Sequence, residues 1–206
     1  MKKIIIPFDG GHFSQGAFSF ARSLNKMSPI LLAGIFLPEL EYLRFFLFPT
    51  ALAGPAFLPS KEKTDEEIIE KNIKDFVSQC DQDTIKYKVH KDLYDLAISQ
   101  LVKETRFSDL MIIGSETFFK DGPAGNYDYL RDTLHNTECP VLIVPEEYSF
   151  PDSIILAYDG SESSVYAIRQ FANLFPEMCH LKTTLVYAGN DKKEIPDRAL
   201  IEELVS

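Results

Sequence analysis

Apolar and polar positions along the chain switch between two rhythms, and the switch points mark out strands and helices. Lys3 to Phe8 is a β-branched, apolar run closed by the turn-forming Asp9-Gly10-Gly11, after which Ala17, Phe20, Ala21 and Leu24 recur at helical spacing. Ile30 to Phe36 is almost continuously apolar, the pattern of a strand covered on both faces of a parallel sheet, and Pro38 ends it. Thr64-Asp65-Glu66-Glu67 has capping-box spacing and predicts a helix start near Thr64, with Ile69, Ile73, Phe76, Val77 and Cys80 on one face. Ile85 to His90 alternates as a strand, and Asp92 is placed to cap a helix carrying Tyr94, Ala97, Ile98, Leu101 and Val102. Asp109 to Ile113 is the next buried strand, closed by Gly114. A loop containing Gly and Pro runs to Asn126, a short helix carries Leu130 and Leu134, and Pro140-Val141-Leu142-Ile143-Val144-Pro145 is a fifth strand between prolines.

Strands alternating with helices, joined by crossovers long enough for βαβ units, predict an α/β fold: an open, doubly wound, parallel five-stranded sheet of Rossmann-like type. The pattern then begins again. Ile4-Ile5-Ile6-Pro7-Phe8-Asp9-Gly10 matches Ile154-Ile155-Leu156-Ala157-Tyr158-Asp159-Gly160, and Ser14 and Ala17 fall in step with Ser164 and Ala167. A helix with Ile168, Phe171, Ala172 and Phe175, a strand around Leu181 to Ala188 and a helical start from Pro196 follow. The expected domains are therefore 1–146, complete, and 152–206, a partial second copy lacking three strands. So short a piece buries too little surface to stand alone and is expected to pack on the first domain, on a second chain or on further sequence.

Composition narrows the class without choosing a function. A length of 206 residues suits one full core plus a fragment, and 45% hydrophobic and 25% charged residues are values of an ordinary globular chain. The apolar run after Met1-Lys2-Lys3 is too short for a secretory or membrane-spanning segment, so a cytoplasmic protein is expected. Cys80, Cys139 and Cys179 are widely spaced, with no paired-cysteine motif and no zinc pattern, which predicts buried free thiols. A formal net charge of -10 without a basic stripe argues against nucleic acid and anionic membrane as partners.

Three pieces in this order and spacing, Ile5-Ile6-Pro7-Phe8-Asp9-Gly10, Met111-Ile112-Ile113-Gly114-Ser115 and Cys139-Pro140-Val141-Leu142-Ile143-Val144-Pro145, resemble a universal stress protein domain. Asp159-Gly160-Ser161-Glu162 resembles the family's first-turn motif more closely than Asp9-Gly10-Gly11-His12 does. The resemblance implies an adenine nucleotide alpha hydrolase-like fold, and in nucleotide-binding members ATP lies over the carboxyl ends of the strands. Carried over by position, the nucleotide-binding set is Pro7, Asp9, Gly10, Ile113, Gly114, Thr117, Tyr127 and Asp128. The family's phosphate signature is Gly, two residues, Gly, nine residues, Gly, then Ser or Thr. Here those places hold Gly114, Thr117, Tyr127 and Asp128, so one glycine of three remains. Tyr127 adds bulk, and Asp128, expected near a helix start, is a good residue to cap the free N–H groups itself, with a charge that would repel a triphosphate. Gly122 and Gly125 have the wrong spacing to replace the lost turn. ATP or another adenine nucleotide is the cofactor that the resemblance implies, and its binding is expected to be weak or absent.

Asp9 and Asp159 each have two readings, recognition of ribose or base and simple turn formation by Asp-Gly. His12 reads as a solvated turn residue and His90 as strand-end polarity. No paired acid and base, nucleophile constellation or metal cluster occurs at usable spacing, so the leading expectation is a non-catalytic, stress-associated regulatory or ligand-sensing protein. One alternative is a nucleotide-hydrolysing or adenylyl-transferring enzyme with a Ser-Gly-Gly-x-Asp-Ser pyrophosphate loop. Asp9-Gly10-Gly11-His12-Phe13-Ser14 departs from that loop at its first position and at Phe13. The other alternative is an oligomeric interaction scaffold that binds no nucleotide, and the resemblance itself implies a homodimer. Residues 39–60 carry Tyr42, Phe45, Phe46, Phe48 and Phe57 among Pro49, Pro55 and Pro59, too apolar for a solvated loop. Three readings stand for this segment: an insertion folded over the sheet, a lid, or a protein contact surface. On the contact reading, replacing Phe45, Phe46 and Phe48 together by Ser lowers the oligomeric mass in light scattering; an unchanged mass with folding intact contradicts it.

Overall fold

The computed structural model describes residues 1–9, 12–37, 62–91, 97–116, 137–189 and 195–205. Two compact units result, Met1–Tyr148 and Ser149–Ser206. The first contains β1 (Lys2–Asp9), α1 (Gln15–Met27), β2 (Ile30–Leu37), α2 (Glu62–Gln82), β3 (Lys86–Lys91), α3 (Ala97–Arg106), β4 (Leu110–Gly114) and β5 (Val141–Val144). Its strands form one sheet in the order β3-β2-β1-β4-β5, every pairing parallel. This is the open, doubly wound arrangement expected from the alternation of elements.

Local chemistry sets where the elements begin and end. Ser14 caps α1, its hydroxyl accepting from the Ala17 N–H at 3.3 Å. Helix α2 starts at Glu62, near Thr64 as expected, but Thr64 lies in its first turn and not at its cap, because Glu62 and Lys63 are good helix formers and carry the helix upstream. The Lys3 N–H donates to Asp109 Oδ2 at 2.7 Å while the Asp109 N–H donates to the Lys3 carbonyl at 2.8 Å. This reciprocal pair pins β1 to the start of β4 and so sets which strand ends meet at the other edge.

Each face of the sheet has its own core. One carries a stack of rings in which Phe8 lies between Phe13 (centroids 4.6 Å apart) and Phe36 (5.0 Å). Phe76 of α2 meets Phe8, Phe18, Phe36 and Tyr87 edge-on. Gly34 leaves the room for this: a Cβ there would lie 2.9 Å from the Phe36 ring and 3.0 Å from that of Phe76. On the opposite face Ile5, Ala33, Ile35, Met111 and Ile113 pack with Leu101 and Val102 of α3 and with Cys139.

The second unit runs β6 (Ser153–Tyr158), α4 (Glu162–Leu174), a single 3-10 turn (Pro176–Met178), β7 (Lys182–Tyr187) and α5 (Arg198–Leu204). β6 and β7 pair in parallel, the order and pairing of β1-α1-β2. Ser161 caps α4 by accepting from the Ser164 N–H at 3.1 Å, so the cap equivalent to Ser14 is Ser161 and not Ser164. Phe175, expected on the helix, is its C-cap instead, because Pro176 drives the preceding residue out of helical geometry. The last helix begins at Arg198 and not at Pro196, since Asp197 takes a left-handed φ of 54°.

Of the three thiols expected to be buried, Cys80 and Cys139 are, whereas Cys179 lies near the surface turn after α4 and is only half-buried. Burial pushes Cys80 up to about 12 and Cys139 up to about 11, so both are neutral and unreactive at pH 7.

Truncation of Phe76, the ring that meets Phe8, Phe18, Phe36 and Tyr87 edge-on, tests how far the sheet leans on it. Phe76→Ala is expected to cost roughly 3–5 kcal/mol in urea unfolding; a loss well below about 1 kcal/mol contradicts the central place given to Phe76.

Candidate functional site

β1 and β4 are parallel neighbours, with Ile4 opposite Leu110 and Ile5 opposite Met111. Asp9 and Gly114, the last residues of these strands, therefore sit at the same edge of the sheet. β5 lies beyond β4, and the Ser115 N–H donates to the Val144 carbonyl at 2.8 Å, bringing the chain after β4 against the end of β5.

The N-terminus of α1 closes on this edge through two glycines. A Cβ on Gly114 would stand 2.6 Å from Ser14 Oγ and 3.2 Å from Glu116 Oε2. One on Gly16 would run into the Pro145 carbonyl oxygen and come within 2.8 Å of Glu146 Cα. At Gly16 a side chain would meet backbone, whereas at Gly114 the side chain of the cap residue Ser14 would have to shift.

Carboxylates occupy the space so defined. The Gly16 N–H donates to Glu146 Oε2 at 2.9 Å, and the Glu146 N–H donates to Glu116 Oε1 at 3.0 Å. Ser115 Oγ lies 3.4 Å from Glu116 Oε1, and His12 Nε2 lies 3.8 Å from Glu146 Oε1. Glu116 Oε2 and Glu146 Oε1 are buried oxygens without a hydrogen-bond partner. A helix N-terminus favours an anion, and here the chain's own Glu146 supplies it.

Of the residues singled out from the sequence, Gly114 stands directly at this edge and Asp9 ends β1 opposite Leu37. Pro7 is buried within β1 opposite Ile35, and Ile113 is buried in the core opposite Ile143. Gly10, Thr117, Tyr127 and Asp128 lie outside the described residues, as do Gly122, Gly125 and the aromatic segment 39–60. His12, expected in solvent, is half-exposed and faces Glu146. His90 lies on β3 with Nδ1 3.7 Å from Glu104 Oε1, whose partner oxygen receives Lys3 Nζ at 2.6 Å.

Glu116 and Glu146 were not anticipated as site residues. Their signal is positional: Glu116 follows the end of β4 by two residues, and Glu146 follows the proline that closes β5. Among the described residues no group of three or more His, Cys, Asp or Glu side chains is arranged to hold a metal ion. Nor is any helix of the described residues long and apolar enough to cross a membrane.

In the second unit, the turn after β6 shows what its aspartate does. Asp159 Oδ1 accepts from the Ser161 N–H at 2.9 Å, and Gly160 takes a φ of +87°, a conformation that glycine adopts without strain. The Ser161 side chain first, then its N–H, holds the exposed Asp159 carboxyl down to about 2.

No protein-family model and no curated protein matches the chain. Solved structures do. A universal stress protein from Archaeoglobus fulgidus is 14% identical, with 70% of this chain and 98% of that one covered and a TM-score of 0.45. A universal stress protein family member from Arabidopsis thaliana, solved with AMP bound, is 12% identical over 71% of this chain and 93% of that one, with a TM-score of 0.44. A universal stress protein from Lactobacillus plantarum is 15% identical over 69% and 97%, with a TM-score of 0.41.

The Asp159 turn makes a pH prediction. Its folded pKa lies below that of an unfolded aspartate, about 3.9, so the turn stabilises the second unit above about pH 4 and loses that contribution as pH falls toward about 2. Carboxyl titration by NMR is expected to place the Asp159 midpoint near 2 and to move it up in Ser161→Ala; an ordinary midpoint in the unmodified protein contradicts the hydrogen-bonded turn.

Proposed function

We propose that the protein is a cytoplasmic regulatory or ligand-sensing protein of the universal stress protein type, without catalytic chemistry of its own, whose first unit holds a nucleotide-type cleft closed to polyphosphate. The three sequence pieces that carry the family resemblance fall on β1, β4 and β5, consecutive strands of the sheet. Two of them end at the edge where open α/β sheets take their ligands. Three free thiols are in keeping with a reducing compartment. The resemblance also favours a homodimer, and on this reading the partial repeat in the second unit makes the chain tandem in type.

The observation that carries the reading is the pair Glu116 and Glu146 beside Gly114. A phosphate brought within about 4 Å of a carboxylate meets a repulsion of roughly 4 kcal/mol at a near-surface dielectric. That is enough to remove about three decades of affinity, against the 0.3–1 kcal/mol or so that one helix N-terminus returns. Glu146 has already taken that N-terminus for itself. With the sequence signature also reduced to Gly114, both the backbone cradle and the electrostatics turn against a triphosphate.

Calorimetric titration with Mg-ATP is expected to give no saturable heat in the micromolar range. The double substitution Glu116→Gln with Glu146→Gln, which keeps the hydrogen-bonding shape and removes both charges, should strengthen nucleotide binding at least tenfold. A low-micromolar dissociation constant for the unmodified protein overturns the reading.

A further inference from the structure

The two units allow a comparison, position by position, between a strand pair covered on both faces and one covered on a single face. Ile4 pairs with Leu32 as Ile154 pairs with Thr183, which sets Ile155, Thr184 and Val186 in the places of Ile5, Ala33 and Ile35. In the first unit these places are sealed, at 0%, 0% and 3% exposure. In the second, Ile155 is 73% and Val186 46% exposed, with Ala157 and Thr184 open beside them. The other face of β6 and β7 is served by α4 and α5, through Leu156, Tyr158, Ile168 and Ile201.

What seals the first unit is equally specific. Leu101 and Val102 of α3 lie over Ile5, Ala33 and Ile35, and the strand that follows α3, β4, pairs in parallel with the second edge of β1. Among the described residues β6 has β7 as its one partner strand, so no described strand occupies its second edge. Parallel strands normally have both faces covered, and a free apolar edge invites a further strand.

Area decides what kind of occupant fits. Six residues on two strands present a face of about 20 Å by 10 Å, roughly 200 Å². A stable interface takes about 800 Å² from each partner, so two such faces laid flat on each other fall short by about fourfold. An occupant that covers the face and also extends the sheet at β6 buries more than a flat face-to-face contact does and supplies backbone hydrogen bonds in register.

We propose that the bare face of β6 and β7, with the second edge of β6, is a docking site for a helix–strand element of another polypeptide, its helix apolar on one side and its strand running parallel to β6. Ile155 and Val186 are the anchors, as the sealed Ile5 and Ile35 are in the first unit.

The test uses the full chain and one probe, a fluorophore-labelled peptide of residues 97–114, the α3-β4 element that covers the equivalent positions in the first unit. Fluorescence anisotropy should show saturable binding, weakened at least tenfold by Ile155→Glu and, in a separate variant, by Val186→Glu. Both residues are exposed, so unchanged urea midpoints are expected and keep the comparison clean. Absence of saturable binding overturns the proposal, as does binding that neither substitution weakens. Light scattering supplies the third outcome: a dimer of the unmodified chain that Ile155→Glu dissociates means that a second copy holds this face, and the proposed occupant is then wrong.

Discussion

α1 can meet the ends of β4 and β5 only because Gly16 and Gly114 present no side chain to them. The reciprocal hydrogen bonds of Lys3 and Asp109 set the register of β1 on β4, and with it the edge at which both strands end. The sheet order then brings β5 alongside, so that the helix following β1 reaches across to the residue leaving β5. An alanine at Gly16 would meet backbone atoms of Pro145 and Glu146, not a flexible side chain that could step aside. Helix position, strand register and site geometry are thus one constraint, and substitutions at the two glycines would be felt at all three.

Within that constraint the protein places its own Glu146 carboxylate on the N-terminus of α1. A helix N-terminus offers unsatisfied N–H groups to any anion, and Glu146 is close enough, and tethered by its own N–H to Glu116, to take one permanently. Intramolecular capture carries no association cost, whereas a ligand must overcome one before it can compete. On the proposed reading, the carboxylates of Glu116 and Glu146, each with a buried oxygen that accepts no hydrogen bond, raise the barrier further for a phosphate.

Much of the fold was legible because each strand is locally self-announcing. β1, β2 and β4 are buried on both faces, so their apolar runs are continuous, and prolines bracket β5. Ends were less legible. The capping-box spacing at Thr64 competed with good helix formers upstream, and the proline after Phe175 outweighed an apolar spacing that continued the helix on paper. Gly114 was found from a motif, but Glu116 and Glu146 are thirty residues apart and meet only through the pairing of β4 with β5. No window of local sequence contains that proximity. Asp159 was open between recognition and turn formation, and its bond to the Ser161 N–H gives it the second role.

The distribution of thiols has a consequence for how the protein's motions can be followed. Cys80 and Cys139 both belong to the first unit and are sealed and protonated at neutral pH, while Cys179 alone belongs to the second and is partly accessible. An alkylating reagent reaches the first two at the pace at which that unit opens, and the third without waiting for it. The molecule therefore carries, in its own cysteines, a chemical clock for the opening of its first half and, in its second, a reference thiol that needs no opening.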